Sequence, residues 1–183
     1  MLELNFSPFP EIMTSRLLLR RMVLKDAPEI LLLRSDETVM RYIDRERAKT
    51  TEDAEAFVQL INESLETGNG ITWAMALCDQ PQTLIGTIGF WRIIKQHYRA
   101  EVGYMLNPVY WNKGIMKEAL QTVIDYGFGP MRLHSIEAHI NPGNIASAIL
   151  LERTGFTREA YFKEDYFFRG EFIDTAIYSM LSK

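Results

Sequence analysis

Cysteine is nearly missing from this sequence of 183 residues, in which Cys78 is the single example. One thiol cannot form an intramolecular disulfide, so the chain is not a disulfide-stabilised secreted scaffold, and we expect a reducing, cytoplasmic location. Because Cys78 ends an apolar run, the sequence favours a small buried residue over a nucleophile. The three histidines are scattered along the chain, and no metal site is predicted from them.

Excess positive charge and long apolar runs are also missing. The formal net charge of -4 argues against binding to a nucleic-acid backbone. The longest apolar runs, such as residues 30–33, are far shorter than the roughly 20 residues that cross a bilayer. Residues 1–10 lack the basic start of a signal peptide. The composition therefore predicts one globular domain over residues 1–183, with no nucleic-acid or membrane partner.

The order of the predicted elements indicates a mixed α/β fold. Strand-like alternation occurs at residues 16–22, 71–78, 83–91, 99–106, 135–140, 156–162 and 172–181. Helical periodicity separates these strands, and Asp26 and Thr50 are predicted to begin helices as side-chain caps. Helices, then a meander, then helix–strand units predict a mixed sheet flanked by helices. An exposed edge strand at residues 172–181 would support a homodimer, which is a hypothesis.

The segment at residues 107–118, NPVYWNKGIMKE, places a loop between a predicted strand and a predicted helix. The amides of a first helical turn have no partners within the helix, and with the helix dipole they attract anions. Gly114 leaves room for a phosphate to approach the backbone, while Lys113 and Lys117 add positive charge. From these residues alone, a phosphate-binding loop and a tight turn with solvated lysines both remain open.

This segment resembles the acetyl-CoA pyrophosphate loop of GNAT N-acetyltransferases. The general pattern Gln/Arg-x-x-Gly-x-Gly/Ala is matched at Gly114 but not at Trp111 or Met116. The form used by the RimJ/RimL-like branch, named after ribosomal-protein N-terminal acetyltransferases, is matched at Tyr110, Trp111, Lys113, Gly114, Glu118 and Ala119. Three further segments resemble that branch in the same order, at residues 14–20, 100–104 and 141–156. The resemblance therefore covers most of the chain.

The resemblance implies the GNAT fold, a mixed and mostly antiparallel sheet with a central pair of parallel strands that splay apart. Acetyl-CoA is then the expected co-substrate, and its pantetheine arm is expected between the splayed strands, beyond their carboxyl ends. No metal is implied. The residues implied to contact the coenzyme are Tyr104, Met105, Leu106, Asn112, Lys113, Gly114, Ile115, Met116, Lys117, Asn141 and Asn144.

Acetyl transfer to an amine requires a group that removes the surplus proton of the amine. Glu101 is the candidate base, because it lies on the strand expected to contact the pantetheine and Gly103 leaves space on the same face. Burial in such a cleft would raise the pKa of its carboxyl. The alternatives are Glu137, His139, a water relay, and a structural Glu101 that faces solvent or pairs with Arg92 or Arg99.

The departing thiolate requires a hydrogen-bond or proton donor. Many GNAT enzymes have a tyrosine four residues before the Gly-Phe pair, and Leu151 occupies that position here. Ser147 lies one helical turn earlier on the same face, and the resemblance implies this role for it. A serine that bonds back to a helix carbonyl is the structural alternative.

The expected acceptor is a primary amine, either a small molecule or the N-terminal α-amine of a protein. Aromatic residues at such spacings lie more often in the core, but five are candidates for the cleft wall: Tyr42, Trp73, Phe90, Trp91 and Tyr161.

Two other functions remain open. One is a catalytically weak acetyl-CoA sensor or scaffold, and the other is an α/β enzyme that binds nucleotide phosphates near Gly114. Against the second, the Walker and dinucleotide-binding glycine patterns are absent from the sequence.

Overall fold

The computed structural model describes residues 1–183 and contains one continuous eight-stranded sheet. The strands are β1 (Ile12–Met13), β2 (Leu17–Arg21), β3 (Ile71–Leu77), β4 (Gly86–Ile94), β5 (Arg99–Leu106), β6 (Ser135–Ile140), β7 (Thr157–Phe168) and β8 (Glu171–Leu181). The helices are α1 (Ala27–Ser35), α2 (Glu37–Met40), α3 (Thr51–Glu66), α4 (Ile115–Phe128) and α5 (Ile145–Arg153). No helix combines the length and the apolar character needed to span a membrane.

The strand order is β1-β2-β3-β4-β5-β6-β8-β7, and every neighbouring pair is antiparallel except β5 and β6. This arrangement confirms the predicted mixed sheet with one central parallel pair. The prediction for residues 172–181 is wrong, because β8 lies between β6 and β7 and pairs with both. The sheet edges are β1 and β7, so a homodimer through residues 172–181 has no structural support.

Both faces of the sheet are covered by helices. Trp73 and Met75 of β3 belong to the larger core cluster, which includes the apolar face of α4. Ala74 lies between them in sequence but belongs to a second cluster that α1 and α3 form on the opposite face. Successive strand residues point to opposite faces, so an uninterrupted apolar strand is required where both faces are covered.

The two predicted helix caps have different outcomes. The Thr50 side chain accepts a hydrogen bond from the Asp53 amide at 3.3 Å, and Asp53 accepts one from the Thr50 amide at 3.1 Å, as predicted. Asp26 precedes α1 but makes no capping bond with its side chain. Its carboxylate is buried and instead accepts two bonds from the Arg20 guanidinium, at 2.6 and 2.9 Å. A charge-assisted bidentate pair is stronger than a single amide cap, which explains the difference.

Cys78 and the length of β7 also differ from expectation. Cys78 is exposed rather than buried, because β3 ends at Leu77 and the chain turns outward there. β7 continues to Phe168, well beyond the predicted end at residue 162, and most of its residues are exposed. Because β7 is an edge strand that extends past the core, its sequence lacks the buried alternation that would have predicted its full length.

Candidate functional site

The parallel strands β5 and β6 pair over only three residue pairs, from Arg99–Ser135 to Glu101–Glu137. Beyond this point β5 follows β4 as far as Leu106, whereas β6 follows β8. The sheet therefore opens into a gap at the carboxyl ends of two parallel strands. This is the position at which open α/β sheets bind ligands.

The backbone of Tyr104 points into this gap. The Asn107 amide donates to the Ile85 carbonyl at 2.9 Å, and this bond sets which β5 residues bond to β4. By that alternation Met105 bonds to β4, while the N–H and C=O of Tyr104 and Leu106 face the gap. The Leu106 carbonyl accepts a bond from the Trp111 indole at 2.8 Å, whereas both backbone groups of Tyr104 are left for a ligand.

The loop after β5 has a backbone geometry that favours anion binding. Asn112 and Gly114 adopt positive φ values of 59° and 72°, which turn the chain sharply into α4. The first bond of that helix runs from the Glu118 amide to the Gly114 carbonyl at 3.1 Å. The preceding amides, of Ile115, Met116 and Lys117, have no partner within the helix and remain available to an anion.

Glu118 holds this loop against the start of β2. Its carboxylate accepts bonds from Thr14 Oγ1 at 2.6 Å, Ser15 Oγ at 3.0 Å and Arg16 Nε at 2.6 Å. Arg16 also donates to the Lys113 carbonyl at 2.8 Å. Burial opposes the effect, but these hydrogen bonds lower the pKa of Glu118 to about 2. Two segments that are far apart in sequence thus form one structural unit, a contact that the sequence analysis did not predict.

The start of α5 forms the other wall of the gap. The Asn144 side chain accepts a bond from the Ser147 amide at 3.1 Å, so Asn144 is the helix cap. Asn141 accepts a bond from the Gly143 amide at 2.8 Å. Each side-chain oxygen is therefore engaged locally, and each side-chain NH₂ remains free to donate to a ligand. The Ser147 hydroxyl makes no back-bond to a helix carbonyl, unlike the structural alternative.

The hydroxyl of Tyr104 is a polar group that the sequence did not identify. It is buried close to Ser147 but makes no hydrogen bond of normal geometry. Burial raises the pKa of this hydroxyl to about 12, despite the nearby Ser147. Buried polar groups are normally paired, so an unpaired hydroxyl at the gap indicates a position for a ligand atom. Ser147, on α5, and Tyr104, on β5, both line this part of the gap.

One cavity of about 510 Å³ joins the gap to a cleft on the face covered by α1 and α3. Glu101 lies within it and is only 3% exposed. Burial raises the pKa of Glu101 to about 7, with Arg92 opposing the shift and Glu137 adding to it. Arg92 Nη1 lies 3.2 Å from the Glu101 carboxylate. A carboxylate with this pKa can accept a proton at neutral pH. Because Glu101 is buried, the alternative in which it faces solvent is wrong. The alternative ion pair with Arg92 is present.

Glu137 and His139 lie next to Glu101, and the ligating atoms of all three side chains are within 4.8 Å of one another. By residue type these groups could hold a cation. However, Glu137 lies 3.3 Å from Arg99 Nε, and Glu101 is bound to Arg92, so each carboxylate already has a cationic partner. His139 Nε2 lies 3.5 Å from Glu137, and burial lowers the pKa of this imidazole while Glu137 opposes the shift.

The five candidate aromatic residues separate into two groups. Tyr42 and Trp91 line the cavity. Trp73 and Phe90 are fully buried in the core, where Trp73 packs edge-to-face against Tyr126. Tyr161 lies outside the cavity, and its hydroxyl donates to Asp174. The spacing of aromatic residues could not separate these cases, because the face of each strand depends on which helices cover it.

Comparison with known proteins gives a consistent result. The family model for the acetyltransferase (GNAT) domain matches residues 16–157. The chain is 34% identical to the uncharacterized N-acetyltransferase YoaA of Bacillus subtilis, covering 94% of this chain and 97% of the relative. The crystal structure of a GNAT-family acetyltransferase from Bacillus anthracis is also 34% identical, with a TM-score of 0.82 over 94% of this chain and 98% of that one.

Two relatives have names that state an acceptor. The [ribosomal protein uS5]-alanine N-acetyltransferase of Escherichia coli is 30% identical, covering 66% of this chain and 62% of the relative. The spermidine N(1)-acetyltransferase of Vibrio cholerae is 26% identical, covering 93% of this chain and 96% of the relative. One relative thus acts on a protein and the other on a polyamine.

Proposed function

The chain belongs to the GNAT acetyltransferase family and is an acetyltransferase, and we propose that it transfers the acetyl group of acetyl-CoA to a primary amine. The observation that supports this proposal most directly is the single cavity that joins the β5–β6 gap to buried Glu101. A donor in the gap and an amine in the cleft would meet at this carboxylate.

The gap and its loop fit coenzyme A in charge and in hydrogen-bonding character. The free amides at the start of α4 suit a pyrophosphate, with Lys113 and Lys117 adding positive charge. The backbone of Tyr104 and the side-chain amides of Asn141 and Asn144 suit the polar groups of a pantetheine arm. The remaining contacts proposed for the coenzyme are Leu106, Met105, Asn112, Gly114, Ile115 and Met116. When bound, acetyl-CoA supplies an activated acetyl group and a thiolate leaving group.

The reaction then requires removal of one proton from the amine and stabilisation of the departing thiolate, and the cavity has a candidate group for each. The Glu101 carboxylate accepts the surplus proton of the acceptor amine, directly or through water, so that the nitrogen can attack as a neutral nucleophile. The hydroxyl of Ser147 donates a hydrogen bond to the departing sulfur. The unpaired hydroxyl of Tyr104 is close enough to Ser147 to support that bond or to replace it.

Proton affinities favour an α-amine as the acceptor. The reference pKa of an α-amine is about 7.7–8.0, whereas that of a lysine side chain is about 10.4. Glu101, with a pKa of about 7, can therefore deprotonate an α-ammonium group at a cost of roughly one pKa unit. A lysine would cost more than about three units. We therefore place the N-terminal amine of a protein and small α-amines ahead of lysine side chains.

Acetyl-CoA is expected to stabilise the protein, whereas ATP and NAD are not. A ligand at about a hundred times its dissociation constant stabilises by roughly 2.7 kcal/mol. For a domain of this size this raises the melting temperature by about 5–11 °C. Thermal unfolding with each ligand measures the shift, and thiol release with peptide and amine acceptors then measures transfer. No shift with acetyl-CoA would contradict the proposal, and a shift without turnover would favour the sensor or scaffold.

Gly103→Ala is expected to impair acceptor use without harming the fold. A Cβ at residue 103 would meet Trp91 Nε1 at 3.5 Å, which is an ordinary contact, but it would project into the cleft beside Glu101. We expect the melting temperature to change by at most about 4 °C, because such substitutions alter stability by about 0.4–1 kcal/mol. The acceptor KM is expected to rise about fivefold or more, on the order of 1 kcal/mol. Acceptor titration at saturating acetyl-CoA measures the effect.

Gly89, which pairs with Gly103 across β4 and β5, provides the matched comparison. A Cβ on Gly89 would lie 2.2 Å from the Ile71 carbonyl oxygen, so Gly89→Ala should lower the melting temperature itself. An unchanged acceptor KM in Gly103→Ala would show that the acceptor does not pass over this part of β5.

A further inference from the structure

The wall of the cleft opposite the sheet contains two arginines without ionic partners. Arg34 lies in the last turn of α1, and Arg45 lies in the loop between α2 and α3. Both line the same cavity as Glu101. Arg92, which also lines this cavity, is paired with a carboxylate, whereas Arg34 and Arg45 form no ion pair and no side-chain hydrogen bond. The guanidinium groups of Arg34 and Arg45 are therefore available to bind a ligand.

Each of the two guanidinium groups lies over an aromatic ring. The Cζ atom of Arg34 lies 4.4 Å from the centroid of the Phe57 ring, and that of Arg45 lies 5.9 Å from the Trp91 ring. A guanidinium stacked on a ring keeps its N–H groups at the edge, where they can donate in pairs to a carboxylate or a phosphate. Each guanidinium thus has an aromatic neighbour, closer for Arg34 than for Arg45, and its N–H donors make no hydrogen bond within the protein.

The two charges raise each other's energy. The pKa of Arg34 is lowered, first by burial and then by the charge of Arg45, with Asp53 opposing both. Asp53 gives little direct compensation, because its carboxylate accepts the amides of Lys49 and Thr50 at 2.8 and 3.1 Å. A desolvated cation beside a like charge is unfavourable in the free protein, and a bound anion would relieve that cost.

Acidic groups of the cleft do not neutralise this pair. Asp44 precedes Arg45 in the same loop and also lines the cavity. Burial raises the pKa of its carboxyl, while Arg45 opposes the shift. Asp165 reaches the cavity from β7 on the other side. Neither aspartate forms an ion pair with Arg34 or Arg45, since every ion pair of the chain involves other residues.

We propose that Arg34 and Arg45 form an oxyanion-binding subsite, so that the acceptor is an amine that also bears a carboxylate or phosphate. The amine end lies at Glu101 and the anionic end at the two arginines. This inference deepens the proposed acetyl transfer and rests on it. It selects zwitterionic acceptors, such as an acidic amino acid or a protein N-terminus followed by an acidic residue, over a polyamine.

The test compares acceptors that differ by one charge. The peptide amides Ala-Glu-Ala and Ala-Gln-Ala represent a protein N-terminus. L-glutamate α-amide and L-glutamine α-amide represent a single amino acid with and without its one carboxylate. An amino-sugar phosphate and the amino sugar represent a phosphate source, and spermidine represents a polyamine. We expect the anionic member of at least one pair to have about tenfold higher kcat/KM. In Arg45→Gln and Arg34→Gln this ratio should fall below about threefold. Arg153→Gln, an exposed and unpaired control on α5, should retain it.

The ratio within a pair separates recognition from catalysis. Arg45 lowers the pKa of Glu101, so Arg45→Gln can change the rate with every acceptor, but it changes both members of a pair equally. Equal use of both members in the wild type, or a preference that survives both substitutions, would overturn the subsite while leaving acetyl transfer intact. A preference for spermidine would overturn it in the same way.

A binding measurement keeps the two proposals separable. Calorimetric titration of the CoA-saturated protein with the same acceptor pairs needs no turnover. If no acceptor is acetylated but the anionic member still binds about tenfold more tightly, and Arg45→Gln removes that difference, the subsite stands and the proposed function fails. If the two members of each pair also bind with equal affinity, the proposed subsite is wrong, whether or not the acceptors are acetylated.

Discussion

Glu101→Gln is expected to lower kcat by about 10²–10⁴-fold, which is the usual contribution of a positioned general base. The substitution keeps the shape of the side chain and removes its ability to accept a proton. In the wild type, log kcat/KM should rise with unit slope as the pH increases to about 7, because the carboxylate must be deprotonated to act. This limb should vanish in Glu101→Gln, while a limb from the acceptor amine remains near its own pKa. A pH series of thiol-release rates measures both effects.

Two further variants show whether the rise of kcat/KM with pH reports the titration of Glu101. Arg92 opposes the raised pKa of Glu101 from 3.2 Å, so Arg92→Gln should move the midpoint to higher pH. Ser147→Ala should lower kcat by removing the donor to the leaving sulfur, but it should leave the midpoint unchanged. An unaltered pH limb in Glu101→Gln would assign the base to Glu137, to His139 or to a water relay instead.

Asp26→Asn is expected to destabilise the fold by about 3–5 kcal/mol, the usual cost of leaving one member of a buried ion pair without its partner. Arg20 and Asp26 are 8% and 2% exposed, and two hydrogen bonds join them. Asp26 also accepts the Val23 amide at 2.9 Å, so the carboxylate fixes the turn that leads into α1. The melting temperature should fall by about 6–20 °C, which thermal unfolding by circular dichroism would show.

The neighbouring exposed pair is the control. Arg21 lies 3.7 Å from Glu66, and the two side chains are 46% and 71% exposed. Glu66→Gln should change stability by less than about 0.5 kcal/mol, because solvent-exposed pairs contribute little. A double variant, Arg20→Met with Asp26→Leu, should recover much of the stability lost in Asp26→Asn. A melting temperature for Asp26→Asn within about 2 °C of the wild type would contradict the role assigned to this pair.

Much of the fold could be predicted from local sequence. The capping box at Thr50 and Asp53 is complete within four residues, so no distant contact was required to form it. The bounds of β5 and β6 were predicted correctly, because both are regular strands buried in the sheet. The glycine loop before α4 was located because its shape depends on the positive φ of Gly114 and on the free amides of the first helical turn.

The charged and catalytic properties needed the tertiary structure. Asp26 has the sequence of a capping residue, but Arg20, brought beside it by the turn after β2, takes its carboxylate. The pKa of Glu101 depends on burial and on Arg92, which reaches it from a neighbouring strand. The Tyr104 hydroxyl is buried without a partner, beside Ser147 of a helix more than 40 residues away in the chain.

The class of the fold, the position of the proposed coenzyme loop and the candidate base follow from the sequence alone, because periodicity, caps and motifs act over a few residues. Three properties required the tertiary structure: that β7 rather than β8 is an edge strand, which aromatic residues line the cleft, and that Arg34 and Arg45 face one cavity without partners. These properties arise where segments that are distant in the chain meet. There, desolvation and nearby charges, rather than residue type, determine what a side chain does.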